Sequence, residues 1–261
     1  MGMRRLTNKA RIEAFLRRNP ELHIYSLGDL DDYFWPDTTW YGWEEAGEIR
    51  DLVLLYTGST LPTVVGISEQ PPGIWELLRA VCPLLPERFS AHLSPRAEKA
   101  FEPTHRIAPH GPHYKMGLHD TTRASRIDCS AVVRLTRHDL DDLLRLYGES
   151  YPGNSFDPRM LETGQYFGLR LDGGLVSVAG VHVYSRQYRV AAIGNVVTQT
   201  TRRNQGYGRL VMARLCQSLL ESTDYIGLNV KADNDAALAC YKGLGFETVA
   251  PYGEFTLTRT I

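Results

Sequence analysis

Residues 188–220, YRVAAIGNVVTQTTRRNQGYGRLVMARLCQSLL, pass from a β-branched apolar run through a loop of Thr, Arg, Asn, Gln and Gly into a helical pattern. A chain that leaves a strand and enters a helix within a few residues is committed to an α/β architecture, with the helix returned onto the sheet. Val211, Leu215 and Leu219, at i, i+4 and i+8, predict the face that this helix buries. At such a junction the first helical N–H groups have no intrahelical acceptor and lie at the positive end of the helix dipole. Gly206 and Gly208 clear the approach to those amides, and Arg202, Arg203 and Arg209 add positive charge, so the junction has the chemistry of a phosphate seat.

Two kinds of phosphate loop fit poorly. A Walker loop needs Gly-Lys-Ser/Thr at its end, and here Gly208 is followed by Arg209 and Leu210. A dinucleotide fold needs a third glycine where Val211 stands, and an acid ending the next strand, where the chain has LNVKADN.

The 261 residues, 43% hydrophobic, suffice for two cores, and the layout suggests two α/β domains, 1–125 and 126–261. Segment 102–126 is poor in apolar periodicity and rich in Pro and His, as an interdomain connection tends to be. Its His105, His110, His113 and His119 have irregular spacing and no neighbouring cysteine, so they read as solvated loop residues and no metal site is expected. Cys82, Cys129, Cys216 and Cys240 show no paired spacing, which argues against a disulfide framework and for a reducing, cytoplasmic setting. The net charge of −1 argues against nucleic-acid binding through bulk charge, and no stretch has the length and apolarity of a membrane span or signal peptide.

In the first half a helix is expected around Ile12, Phe15 and Leu16, with Asn19-Pro20 opening another. DLVLLYT and PTVVGIS read as strands, PPGIWELLRAV as a helix and RFSAHLS as a strand. The unit VVGISEQPPGIWELL repeats the strand–loop–helix layout but lacks the arginines and the close glycine pair. The aromatic and acidic stretch LGDLDDYFWPDTTWYGWEE is compatible with a binding surface, a domain wedge or a core.

The second half reads as a strand SAVVRL and then a helix from Thr136 to Tyr147, with Leu140, Leu143, Leu144 and Tyr147 on one face and Thr136 and Asp139 spaced as a capping-box variant. Strands then flank Asp172-Gly173-Gly174, a hairpin signal. After the loop and its helix come the strand YIGLNV, a helix from Asn234 to Lys242 and a last strand, EFTLT. The expected result is a mixed sheet with helices returning between strands.

Arg203, Gly206 and Gly208 match the Arg/Gln-x-x-Gly-x-Gly/Ala pattern of the GNAT superfamily of N-acetyltransferases, which this half resembles. About thirty residues on, NDAALACYKGLGF is similar to a second family segment, with Asn234, Ala237, Tyr241, Gly245 and Phe246 in place. The resemblance covers about residues 131–261 and implies a GNAT fold there. The first half resembles, more faintly, the degenerate GNAT-like partner of two-domain members, including glycine N-acyltransferase-like ones. That implies one cofactor site per chain, with the first half shaping an acceptor pocket or a homodimer contact.

The resemblance implies an acyl-CoA-dependent N-acyltransferase, using acetyl-CoA as cosubstrate and a small-molecule amine or amino acid as acceptor. A CoA-binding sensor without turnover is the alternative. In the family the strand before the loop splays from its neighbour. Val196, Val197 and Thr198 then pair with the pantetheine arm, and the amides of Arg203, Asn204, Gln205, Gly206, Tyr207, Gly208 and Arg209 hold the pyrophosphate, with Arg202 a further phosphate contact. Asn234 and Ala237 complete the cofactor side, and the Val197 amide is the expected oxyanion donor. Tyr241 matches the general acid that protonates the departing thiolate. AAIGNVV offers only Asn195 where many relatives place an acid or histidine, so the base candidates are His182, Glu149 and water. Tyr151, Asn154 and Phe156 lie where the family recognises its acceptor.

Overall fold

The computed structural model describes residues 2–69 and 71–260. Two compact units emerge, one of residues 2–115, 231–233 and 249–260, the other of Met116–Val230 and Asn234–Thr248. The C-terminal segment from residue 249, which the sequence division at 125/126 places with the second half, thus folds with the first.

In the first unit, β1 (Gly2–Leu6), α1 (Lys9–Leu16) and α2 (Ile24–Gly28) precede three antiparallel strands, β2 (Thr38–Glu45), β3 (Glu48–Tyr56) and β4 (Thr63–Gly66). Helix α3 (Pro71–Val81) returns the chain to β5 (Arg88–Leu93), which pairs parallel to β4 from Thr63↔Ser90 to Gly66↔Leu93. Gln70 lies outside the described residues. Asn8 caps α1 by accepting from the Arg11 amide at 3.1 Å, and Ile12 and Leu16 are buried. Asn19 accepts from Leu22 N, so it closes a turn, and the helix it was expected to start begins only at Ile24. The end of the aromatic stretch, from Thr38, becomes β2, where Trp40 is buried and stacks on Trp35 of the preceding 3-10 turn.

Segment 102–126 contains a strand, β6 (His105–Leu118), and a short helix, α4 (Thr121–Ser125), where a connecting loop was expected. His105 and His113 are buried, whereas solvated loop residues were expected. Hydropathy missed the strand because Pro, Gly and His break its alternation, while main-chain pairing depends on neighbours that sequence periodicity does not register.

The second unit repeats the element order. Strand β7 (Val132–Arg134) is followed by α5 (Leu140–Ser150), a 3-10 turn over Pro158–Thr163, and β8 (Phe167–Leu171), β9 (Gly174–Ser185) and β10 (Val190–Thr198). Then come α6 (Tyr207–Leu220), β11 (Tyr225–Lys231), α7 (Asp235–Gly243) and β12 (Phe246–Arg259), whose residues from Gly253 to Thr258 pair with β5 in the first unit's sheet. The second unit's strand order is β11-β10-β9-β8-β7.

Local rules explain most of these elements. Thr136 and Asp139 form the capping box, and Asp172 and Gly173 both take positive φ in the hairpin turn. Asp157 caps the 3-10 turn by accepting from Arg159 N at 2.8 Å. On α6, Val211, Leu215 and Leu219 are fully buried as expected. On α5 the buried set is Leu143, Leu146 and Tyr147, while Leu144 is half exposed, so the stripe turns one residue from the expected face. Arg170 on β8 fixes α5 by reaching Asp139 and Asp142 at 2.7 and 2.6 Å. Among the described residues no helix is long and apolar enough to cross a membrane, and no group of three or more His, Cys, Asp or Glu is placed to hold a metal ion.

Candidate active site

Strands β10 and β11 pair only from Val190↔Tyr225 to Ile193↔Leu228, although β10 continues to Thr198 and β11 to Lys231. The gap beyond Ile193 is the splay that the family resemblance leads one to expect. Two irregularities in the β9–β10 ladder sit beside it. The register passes from Ala192↔Val183 to Ile193↔Val181, leaving His182 as the extra residue on β9. It then passes from Gly194↔Gly180 to Val197↔Val178, which inserts a residue into β10 where Asn195 takes φ 54. Bulges of this kind re-aim side chains at the cost of ladder bonds.

The first bulge turns the His182 imidazole over Gly194, where it fills the space that any side chain at 194 would occupy. The ring of Tyr166 does the same over Gly180. Gly180 and Gly194 are directly paired, so both rings stand on one face of the sheet. Alternation from Ile193 and Leu228 puts Asn229 on that face as well.

Asn195 is held from two sides. Its carbonyl accepts from the Tyr147 hydroxyl at 2.8 Å, and its Nδ2 donates to the Tyr166 hydroxyl at 3.0 Å, which in turn donates to the Val181 carbonyl. Phe156 packs on Tyr147 and Tyr166 with centroids 5.2 and 5.5 Å apart. Burial raises both phenols above the ordinary tyrosine range, so they remain neutral hydrogen-bonding groups. The Oδ1 atoms of Asn195 and Asn229 are buried and meet no donor among the described residues. Two buried acceptors on the strands flanking the splay are therefore available to ligand N–H groups.

After β10, Gln199 N still bonds Val176 O, and a short 3-10 turn over Thr200–Arg202 precedes α6. Asn204 (φ 62) and Gly206 (φ 81) take left-handed conformations that curl the loop. None of the main-chain amides from 203 to 209 reaches an acceptor among the described residues. Gly208 lets the helix start lie close to the strand end, since a side chain there would meet Thr198 Oγ1 at 3.3 Å. Ser177 steadies that strand end, bonding the Val197 carbonyl at 3.1 Å and Thr198 Oγ1 at 2.8 Å. Val196 is half-buried in the stretch of β10 beyond its pairing with β11. The Arg202 guanidinium reaches Asp172 at 3.4 Å across an exposed surface, while Arg203, Asn204, Gln205 and Arg209 are exposed and Tyr207 is half-buried.

Helix α7 seats against the start of α6, with Arg209 opposing the upward push that burial gives the Cys240 thiol. Asn234 caps α7 by accepting from the Ala237 amide at 3.1 Å, so these two groups satisfy each other. Tyr241 is half-buried and packs on Phe246 at 6.1 Å. Desolvation, then Cys240 and Tyr151, raise its pKa above the usual phenol range. Tyr151 lies near enough to Tyr147 as well to push that phenol up. Gly245, at φ 101, accepts from His119 N and Asp120 N, and a side chain there would overlap the Asp120 carbonyl.

Two candidates from the sequence are not drawn into this cluster. Glu149 is exposed at the end of α5 and makes no ion pair among the described residues. Asn154 spends its side chain on the loop, donating to Tyr151 O at 2.7 Å and accepting from Phe156 N at 2.9 Å. Sequence reasoning passed over Gly194, Tyr147, Tyr166, Ser177 and Asn229. Gly194-Asn195 inside a strand pattern was the available signal, because a glycine there marks a bulge or a close approach.

The model of the acetyltransferase (GNAT) family matches residues 133–246. The N-alpha-acetyltransferase RimI of Mycobacterium tuberculosis is 30% identical over 116 residues, which span 42% of this chain and 70% of that protein. Two solved structures share the fold across 98% of each chain. One is a Drosophila protein with 15% identity and a TM-score of 0.71. The other is a tandem GNAT protein from the clavulanic acid biosynthesis pathway, with 13% identity and a TM-score of 0.54. With its two sequence segments, the splayed strands and a relative of this similarity, the chain belongs to the GNAT family and is an N-acetyltransferase.

Proposed function

We propose that the second unit transfers the acetyl group of acetyl-CoA directly to the amine of a small molecule or amino acid, with Tyr241 as general acid. The observation that carries this reading is the early end of β10–β11 pairing, which leaves the β10 edge from Gly194 to Thr198 beside a loop of unengaged amides. That edge suits the amide-bearing pantetheine arm. The amides of 203–209, at the N-terminus of a helix, suit the pyrophosphate, with Arg203 and Arg209 for charge and Arg202 as an additional contact.

The acceptor amine approaches from the face that carries His182, Tyr166 and Phe156, where Asn195 and Asn229 offer acceptors to its N–H groups. His182 is the base favoured by position, because a bulge aims its ring beside the splay, whereas Glu149 faces solvent. Attack forms the N–C bond and moves charge onto the thioester oxygen, which the Val197 amide stabilises. Collapse breaks the C–S bond. The nitrogen loses its proton to His182, and Tyr241, held protonated by its desolvated setting, gives a proton to the sulfur.

Thiol release from acetyl-CoA across free amino acids, small amines and short peptides with a free α-amine tests the reading. Turnover with the first two classes is expected, and turnover restricted to peptides would replace the small acceptor by a polypeptide terminus, as the name of the RimI relative suggests. Calorimetry is expected to find one CoA per chain.

A further inference from the structure

The second unit holds a cavity of about 390 Å³ that this reaction does not use. Its floor is made by Gln165 and Ser218, both buried, and its rim by Arg134, Arg186 and Arg189, with Ser222 and Glu221 closing the side. From Tyr207, where α6 starts, to Ser218 is roughly 17 Å of helix at 1.5 Å per residue, so the cavity lies well away from the pyrophosphate loop.

The lining is mostly donors. Arg189 is committed to Asp224 through two bonds of 2.6 and 2.7 Å. Arg186 donates only to the Tyr184 hydroxyl at 2.9 Å, and Arg134 lies over the Phe167 ring at 5.3 Å; neither has a carboxylate in ion-pair range among the described residues. Arg214 shares that ring at 4.7 Å, and stacking pre-organises a guanidinium for planar oxyanions. Glu221 leaves the rim cationic on balance. Gln165 in the floor is 4% exposed, and its Oε1 is buried and meets no donor among the described residues. Guanidinium groups are satisfied by an oxyanion, whereas this amide oxygen asks for an N–H or O–H beside it.

We propose that this cavity is a second ligand site, taking a small carboxylate that carries a hydroxyl or amino group next to the acid. The carboxylate lies between Arg134 and Arg186, and the adjacent donor reaches Gln165. A volume of about 390 Å³ falls in the range of small-molecule sites and exceeds what a bare inorganic anion needs.

The test uses the full chain saturated with CoA, so that the loop's own anion seat is filled, and follows the thermal midpoint against malate, succinate and inorganic phosphate. Malate is expected to bind saturably and several-fold more tightly than succinate. Replacing both Arg134→Gln and Arg186→Gln should weaken malate at least about tenfold, as expected for loss of charge-assisted bonds, and leave the rate of thiol release unchanged. Gln165→Leu should erase the preference for malate over succinate while keeping succinate affinity. Absence of saturable binding, equal malate affinity in the double variant, or saturation by phosphate alone would each overturn the proposal.

Discussion

Strands β4 and β5 with α3, and strands β10 and β11 with α6, make the same parallel crossover in the two units, yet only the second opens. In the first, pairing runs to the last residue of β4, Gly66↔Leu93, and continues through Ser94 N to Gly66 O and Ser68 N to Ser94 Oγ. In the second, pairing stops at Ile193↔Leu228, five residues before the end of β10, and two bulges flank the gap. The crossover is thus only a scaffold, and a cofactor edge requires that the ladder end early and that the following loop keep its amides unspent. Among the described residues the first unit's ladder does not end early, which supports a single CoA site per chain.

This contrast can be broken or sharpened in order of expected effect. Tyr241→Phe should lower kcat by about a hundredfold or more, within the range for a general acid, and leave CoA affinity nearly unchanged; equal loss in both would make Tyr241 a packing residue. In the first unit, burial and then the nearby Lys115 lower the His23 pKa to about 3, so the folded chain keeps it neutral. The stability this residue contributes is present above the unfolded pKa of about 6.5 and is lost as pH falls towards about 3. His23→Gln should therefore remove about 2 kcal/mol of the stability lost between pH 6.5 and 5, measured by denaturant unfolding.

Gly194→Ala places a methyl group within the His182 ring and should cut kcat about tenfold, whereas Gly66→Ala, whose methyl would meet Leu78 and Leu93 at 3.2 Å, should affect stability alone. Equal kinetics for the two alanine variants would remove the distinction drawn between the strands. Gly206→Ala, forced into φ 81, should weaken CoA about fivefold through the strain of a left-handed residue, read as KM with kcat kept.

Much of this was legible in the chain. The α6 stripe, the Asp172-Gly173 turn, the Asp157 cap, the Thr136–Asp139 box and the Asn234 cap are set by residues within a few positions of one another, and local chemistry suffices for each. The loop from Arg203 to Arg209 and the later Tyr241 are marked by the two segments that resemble the GNAT family. Asn195 was read as an inadequate base, whereas the fold makes it the bulge residue gripped by Tyr147 and Tyr166. Asn154, expected on the acceptor side, bonds within its own loop.

The sequence by itself determined most elements of the second half, several of the first and the phosphate chemistry of one junction, because these depend on near neighbours and residue type. Tertiary structure decided where β10 leaves β11, which ring covers Gly194, that His105–Leu118 is a strand, and that the C-terminal strand completes the first unit's sheet. Those outcomes rest on pairings between residues tens of positions apart, whose register is selected by packing across the whole sheet and leaves no periodic trace in the chain.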